Sequence, residues 1–287
     1  MRTFSLSIVI FTLLASQPVQ AESFLWEISH QGRMSYLLGS IHMGNKAFYP
    51  LPKAMEQAFA ASKVLALEAN PSKIGAALSS VMSRGMYSPP DSLQQHISAK
   101  TYTRVKNEAQ KVGLPMMAID RMRPWLLALT LTAMALQKSG YDPQLGIEMH
   151  FLKKKGARSI AELEGAEFQI NLFAGFSSKE QESFLLYTLS EMTLVATQMK
   201  QMVALWKRGD VRGLGALMEA SRTRRPEFRA VYDRLVIKRN ISMAKTIDDM
   251  LKKTKVPHLI VVGAGHLVGK TSIVKQLERK GYTLRQR

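Results

Sequence analysis

The chain has 287 residues, 46% of them hydrophobic, enough for one large or two small cores and too apolar for global disorder. Cysteine is absent, which excludes disulfides, thiolate-bound zinc, iron–sulfur clusters and thiol catalysis. Lys and Arg outnumber Asp and Glu by 40 to 22, a formal charge of +18 that raises the question of an anionic partner.

The N-terminus reads as an export signal. Arg2 is followed by an apolar run over residues 4–14, and Val19-Gln20-Ala21 supplies a small-residue cleavage site. The run is shorter than the roughly 20 residues a membrane-spanning helix needs. Cleavage is expected after Ala21, leaving a signal peptide (1–21), a domain (22–287) and a periplasmic or secreted placement. The other long apolar run, 125–136, is also too short to span. Export argues against a nucleic-acid partner, and no DNA- or RNA-binding motif is found. The basic clusters at 152–158, 207–212, 222–234 and 252–255 read as a solvated surface, with peripheral contact to anionic membranes as its one expected consequence.

In the expected domain, residues 24–28 and 34–38 are short apolar runs around His30-Gln31-Gly32-Arg33, the pattern of a β-hairpin. Pro50-Leu51-Pro52 opens a helix over 54–61. Residues 63–68 (KVLALE) form a mostly apolar strand, and Asn70-Pro71 ends it and begins a helix that runs to about Gly85. From 91 to 137 the pattern is helical, with helices at 100–111 (stopped by Gly113) and 125–138. A turn at 140–143, a helix at 146–155 and a short strand at 158–163 follow. Helices dominate 166–253, with a break near 209–213. The end returns to strand (258–262), turn (263–266), helix (267–280) and strand (282–285). The expected fold is α/β: a mixed or mostly parallel sheet from the N- and C-terminal strands, with a large helical insertion around 71–253.

One pattern occurs twice. An apolar strand runs into Gly39-Ser40-Ile41-His42, and another into Gly263-Ala264-Gly265-His266. Both are G-x-x-H just past a strand end, where ligands of open α/β sheets bind. Glycine there lets the backbone turn and approach a ligand. Glu68 ends a third strand. Two histidines and a carboxylate make a plausible metal site with open positions, and a general base for a metal-bound water. Whether Glu68 is ligand or base stays open. Met192, Met199 and Met202 follow helical periodicity and read as core.

These motifs make the chain similar to the TraB/GumN family, of the superfamily that includes the Tiki metalloproteases and is related to erythromycin esterase-like and ChaN-like proteins. The resemblance runs through Phe24-Leu25-Trp26-Glu27, Tyr36 to His42, Phe48-Tyr49-Pro50-Leu51-Pro52 and Leu67-Glu68. It continues through Arg123-Pro124-Trp125, Leu145-Gly146-Ile147-Glu148, Leu163-Glu164, Arg239-Asn240 and Val262 to Gly269. It implies a metal-dependent hydrolase, metalloprotease-like, with manganese, cobalt or zinc held by His42, Glu68 and His266. Glu148 stands where relatives carry an acidic residue, as a group behind the ligands or one that touches substrate. Arg239 would stabilise an oxyanion, or else form a structural ion pair. Peptide and small-molecule substrates both remain open. The alternative is an inactive periplasmic module that binds a peptide or a metal-containing ligand.

Residues 264–271 (AGHLVGKT) also satisfy a relaxed P-loop between a strand and a helix. Too few residues follow Thr271 for the strand that would carry the magnesium-binding Asp, so nucleotide binding is not expected. The remaining histidines, 30, 96, 150 and 258, are expected to be surface or structural.

Overall fold

A computed structural model describes residues 22–287. The proposed signal peptide lies outside these residues. One sheet of six strands organises the fold: β1 (Leu25–His30), β2 (Arg33–Ser40), β3 (Val64–Leu67), β4 (Ser159–Glu162), β5 (His258–Gly263) and β6 (Thr283–Gln286). Their spatial order is β4-β3-β5-β2-β1-β6. The β2–β5, β3–β5 and β3–β4 pairs are parallel, and β1 is antiparallel to β2 and β6. The sheet is therefore mixed and mostly parallel within an α/β fold, as expected. Strand β5 (HLIVVG) is apolar on both faces because it lies mid-sheet with both faces covered. Gln31 and Gly32 make the two-residue hairpin turn, with φ of 50° and 73°.

Helices α1 (Lys53–Ala61), α2 (Ile74–Gly85), α3 (Ala99–Val112), α4 (Met116–Ile119), α5 (Pro124–Lys138) and α6 (Ile147–Lys153) fall between β2 and β4. Helices α7 (Ala166–Ala174), α8 (Ser178–Glu191), α9 (Val195–Lys207), α10 (Val211–Arg224), α11 (Arg229–Tyr232) and α12 (Arg239–Lys253) fall between β4 and β5, and α13 (Ile273–Arg279) precedes β6. One core surrounds the sheet. A second, around Trp125, Leu127, Leu131, Leu185 and Val231, joins helices of the insertion to one another. Among the described residues no helix is long and apolar enough to cross a membrane.

Two expectations change. Strand β4 comes from inside the helical insertion and extends the sheet beyond β3. The helix expected over 267–280 starts only at Ile273. Gly269, at φ +82°, interrupts the chain, and Ser272 Oγ caps the helix by accepting from Lys275 N–H. Residues 264–267 instead form a 3₁₀ turn, so the Gly-Lys-Thr segment does not open a helix as a P-loop would.

Asp248 of α12 ties this C-terminal end together. Its carboxylate is 5% exposed and accepts from Lys252, Lys280 and Tyr282 Oη at 2.8–3.0 Å. Burial pushes its pKa up, but these donors outweigh it and hold the group at about 2, below the ordinary 3.8. A depressed carboxylate stabilises the fold above its unfolded pKa, and that contribution is lost as pH falls through the folded value. Asp248→Asn is expected to cost about 2 kcal/mol at pH 7, with the gap to wild type closing between about pH 4 and pH 2. Urea midpoints at both pH extremes test this; a gap that widens in acid contradicts it.

Candidate metal and catalytic site

Strand register brings the predicted residues together. Ser40 of β2 pairs with Gly263 of β5, and Leu67 of β3 pairs with Val261. The three parallel strands therefore end side by side, delivering Ser40-Ile41-His42, Glu68 and the 264–267 turn to one edge of the sheet. Gly263 stands at the meeting point. A Cβ built there would lie 3.4 Å from Glu68 Oε1, 3.4 Å from His42 Nε2 and 3.6 Å from His266 Cδ2. Any side chain at 263 would enter the space these three groups share.

The glycines of the two motifs serve space rather than turning. Gly263 has φ −52°, open to any residue. Gly39 lies within β2, where a Cβ would meet Phe24 Cδ1 at 2.9 Å and Ala264 Cα at 3.2 Å. Its carbonyl accepts from the buried Trp206 Nε1 at 2.7 Å. The first glycine thus lets the 264–267 turn pack against β2, and the second keeps the site open.

Each imidazole is held from behind. Asn240 is fully buried, and its Nδ2 donates to Thr271 O at 3.0 Å, which turns Oδ1 toward His266 Nδ1 at 2.6 Å. The ring nitrogen facing an acceptor carries the proton, so His266 Nε2 keeps its lone pair. It faces Glu68 Oε1 at 3.8 Å. His42 Nδ1 meets Glu148 Oε1 at 2.7 Å, and Ser40 Oγ donates to the same oxygen. Glu148 Oε2 is buried without a partner among the described residues.

Glu68 is held on both oxygens. Arg239 Nη2 donates to Oε2 at 2.5 Å, and Gly263 N–H to Oε1 at 2.6 Å. Arg239 also grips Glu164 through Nε and Nη2 at 2.8–3.2 Å. A π-helical turn, Asp233–Lys238, immediately precedes the Arg239-Asn240 pair, a local irregularity common at functional sites.

The electrostatics follow from this wiring. Burial pushes Glu68 up, but His266, His42, Arg239 and the Gly263 amide together hold it at about 2. Burial pushes His266 down to about 4, against the pull of Glu68. The Glu148 charge pulls His42 upward, although 61% of its side chain is exposed and solvent screens the pair. Glu148 is raised by burial and lowered further by His42 and Ser40, ending below its ordinary value. The site therefore holds an ionised carboxylate, a neutral imidazole and an exposed imidazole at the rim.

The donor set fits a divalent ion in kind: two imidazole nitrogens and a carboxylate around a cradle that a Cβ would fill, each imidazole backed by an oxygen acceptor, as metal-bound histidines are. As the side chains stand, no three of these donors form a closed ligand group among the described residues. Of the five residues expected to act, His42, Glu68 and His266 face the shared space. Glu148 and Arg239 lie directly behind them, Arg239 committed to two carboxylates.

The other histidines lie elsewhere. His96 pairs with Asp91 and stacks on Tyr87, and His150 pairs with Glu56 and stacks on Tyr49. His30 packs on Tyr282 at the hairpin, and His258 begins β5 at the opposite end of the sheet. Three contributors received no role from the sequence: Ser40, Glu164 and Asn240. Each adjoins a residue or motif already singled out, but only tertiary contact shows which oxygen holds which ring.

Comparison with known proteins identifies the family. A family profile described as the TraB/PrgY/gumN family matches residues 24–286. Two relatives are named "Uncharacterized protein YbaP". The one from Shigella flexneri is 25% identical over 247 residues, covering 85% of this chain and 88% of its own. The one from Escherichia coli (strain K12) is 24% identical with the same coverage. No solved structure matches. The profile spans nearly the whole described chain, including both G-x-x-H motifs and the carboxylates between them, and the chain belongs to the TraB/PrgY/gumN family.

Proposed function

We propose that the protein is an exported, metal-dependent hydrolase of the peptidase type, working where β2, β3 and β5 end. One observation carries this reading: His42 and His266 each have Nδ1 held by an oxygen, leaving Nε2 of both beside Glu68. His42, His266 and Glu68 would hold the ion, which is manganese, cobalt or zinc. A divalent ion in such a site supplies Lewis-acid polarisation and lowers the pKa of a bound water.

The chain's own residues do the rest. Asn240 and Glu148 orient the two rings. Arg239 and the Gly263 amide fix the Glu68 carboxylate, and a carboxylate engaged on both oxygens is a weak proton acceptor. That favours Glu68 as a ligand over a general base. Exposed His42 forms the rim that substrate meets first, while buried His266 and Glu68 form the floor.

The test uses protein produced with its N-terminus intact in an exporting host. Intact mass should place the mature start at Glu22. Metal analysis should find a divalent ion, and a peptide library should be cleaved on addition of manganese, cobalt or zinc. Glu68→Gln should lower that cleavage at least 100-fold. Bound metal without cleavage would favour the inactive binding module; a library untouched under every metal would sink the peptidase reading.

A further inference from the structure

We propose a second site, for a phosphate group, at the end of the sheet opposite the metal and catalytic residues. A cavity of about 120 Å³ lies there between the β1–β2 hairpin and the segment joining α12 to β5. That is room for several waters or one tetrahedral oxyanion. Its lining includes His30, Arg33, Ser35, Lys252 and Lys255 and, among the described residues, no carboxylate. Of the nearby acids, Asp248 is already bracketed by Lys252, Lys280 and Tyr282, and Asp249 is paired with Lys245. Arg33 and Lys255 make no ion pair among the described residues.

The second observation is buried. Ser35 is 5% exposed, and its Oγ accepts from His258 N–H at 3.2 Å. Its own proton has no acceptor among the described residues, and Ser35 lines the cavity. A buried hydroxyl donor without an acceptor is costly, and an oxyanion in the cavity would supply one. His258, whose N–H Ser35 accepts, is 2% exposed, and its Nδ1 has no hydrogen-bond partner among the described residues. A guanidinium fork, two ammonium groups and a hydroxyl, all donors, match a group with several acceptor oxygens and two negative charges. The ligand class is inorganic phosphate or a phosphomonoester, free or on a lipid headgroup.

The site stands apart from the proposed hydrolase chemistry. Ser35 and Ser40 are five residues apart on β2, roughly 16 Å along the strand. Failure of either proposal leaves the other intact.

Inorganic phosphate titrated into the whole protein by calorimetry at low ionic strength should give one saturable site. Arg33→Ala with Lys255→Ala should weaken it at least tenfold, and Ser35→Ala several-fold. Lys100→Ala with Lys106→Ala, which removes equal charge elsewhere, should leave it within twofold. Sedimentation with phosphatidylcholine vesicles, plain or containing phosphatidic acid, separates the sources. Phosphate-competed binding that the Arg33/Lys255 variant loses assigns a lipid headgroup. Saturable phosphate binding with vesicle binding equal in both proteins assigns a soluble ligand. No saturable phosphate binding, or an Arg33/Lys255 variant within twofold of wild type, overturns the proposal.

Discussion

If the proposed function holds, replacing His42 and His266 together with alanine is expected to reduce divalent-ion affinity by more than 100-fold and to abolish the proposed hydrolysis, while the chain stays folded. Loss of a group that only backs a metal-bound histidine costs roughly 10–100-fold in affinity, so loss of both rings must cost more. Asn240→Ala supplies the intermediate case: the His266 ring remains but its Nδ1 loses its acceptor, and affinity should fall within that 10–100-fold range. Stability should fall less steeply. His266→Ala leaves Asn240 Oδ1 buried without a donor, a cost of about 1–3 kcal/mol. His42→Ala leaves Glu148 with Ser40 Oγ as its remaining side-chain donor, and His42 itself is largely solvated. A domain with roughly 5–15 kcal/mol of stability tolerates such losses, which circular dichroism and thermal melts would verify. Metal retained at native stoichiometry by the double variant would show that the ion lies elsewhere.

The candidate site is legible in the sequence because its parts follow strands. An apolar run ending in G-x-x-H can be read locally, and β2 and β5 are each such a run. Their adjacency cannot be read locally, since more than 200 residues separate Ser40 from Gly263 and only the Ser40–Gly263 register joins them. Glu68 was visible for the same reason, as the end of β3. What stayed hidden depends on helices packed from a distance. Asn240, in the first turn of α12, reaches His266 across 26 residues, and Glu164 meets Arg239 across 75 residues. Helical periodicity marks a face as buried but does not say which ring an amide on it will hold. The motif glycines carried a different lesson. Their spacing suggests a sharp turn, yet neither glycine is needed for one: Gly39 is required by Phe24 and Ala264 standing against it, and Gly263 leaves open the space that Glu68, His42 and His266 share. The late start of α13 has a readable cause in Gly269, at positive φ, and Ser272, the N-cap, which together shorten the helix expected over 267–280.

Arg239→Met is expected to destabilise the metal-free protein by about 3–5 kcal/mol, the usual cost of removing one partner from a buried charge network. At roughly 2–4 °C per kcal/mol for a chain of this size, the melting temperature should drop by about 6–20 °C. The reason is the company Arg239 keeps: the Glu68 and Glu164 side chains are only 6% and 1% exposed, and without the guanidinium two carboxylates face each other out of water. Adding Glu164→Gln removes one of those charges, so Arg239→Met with Glu164→Gln should be more stable than Arg239→Met alone, a coupling of about 1–3 kcal/mol. The pH dependence has a definite sign. Glu68 is held at about 2 against an ordinary 4.5, so it stabilises the fold above the unfolded value and loses that contribution as pH falls toward 2. Arg239 supplies part of this depression. The stability gap between wild type and Arg239→Met should therefore be widest near neutrality and shrink below about pH 4.5, as the stranded carboxylates take up protons. Denaturant melts of chelator-treated protein at pH 7 and pH 4 measure it. If the single and double variants melt together, Arg239 is not what holds the two charges apart, and its place behind Glu68 is incidental. If the double variant recovers stability but not hydrolysis, the guanidinium also serves to aim Glu68 at the shared space, a role neutralising Glu164 cannot replace.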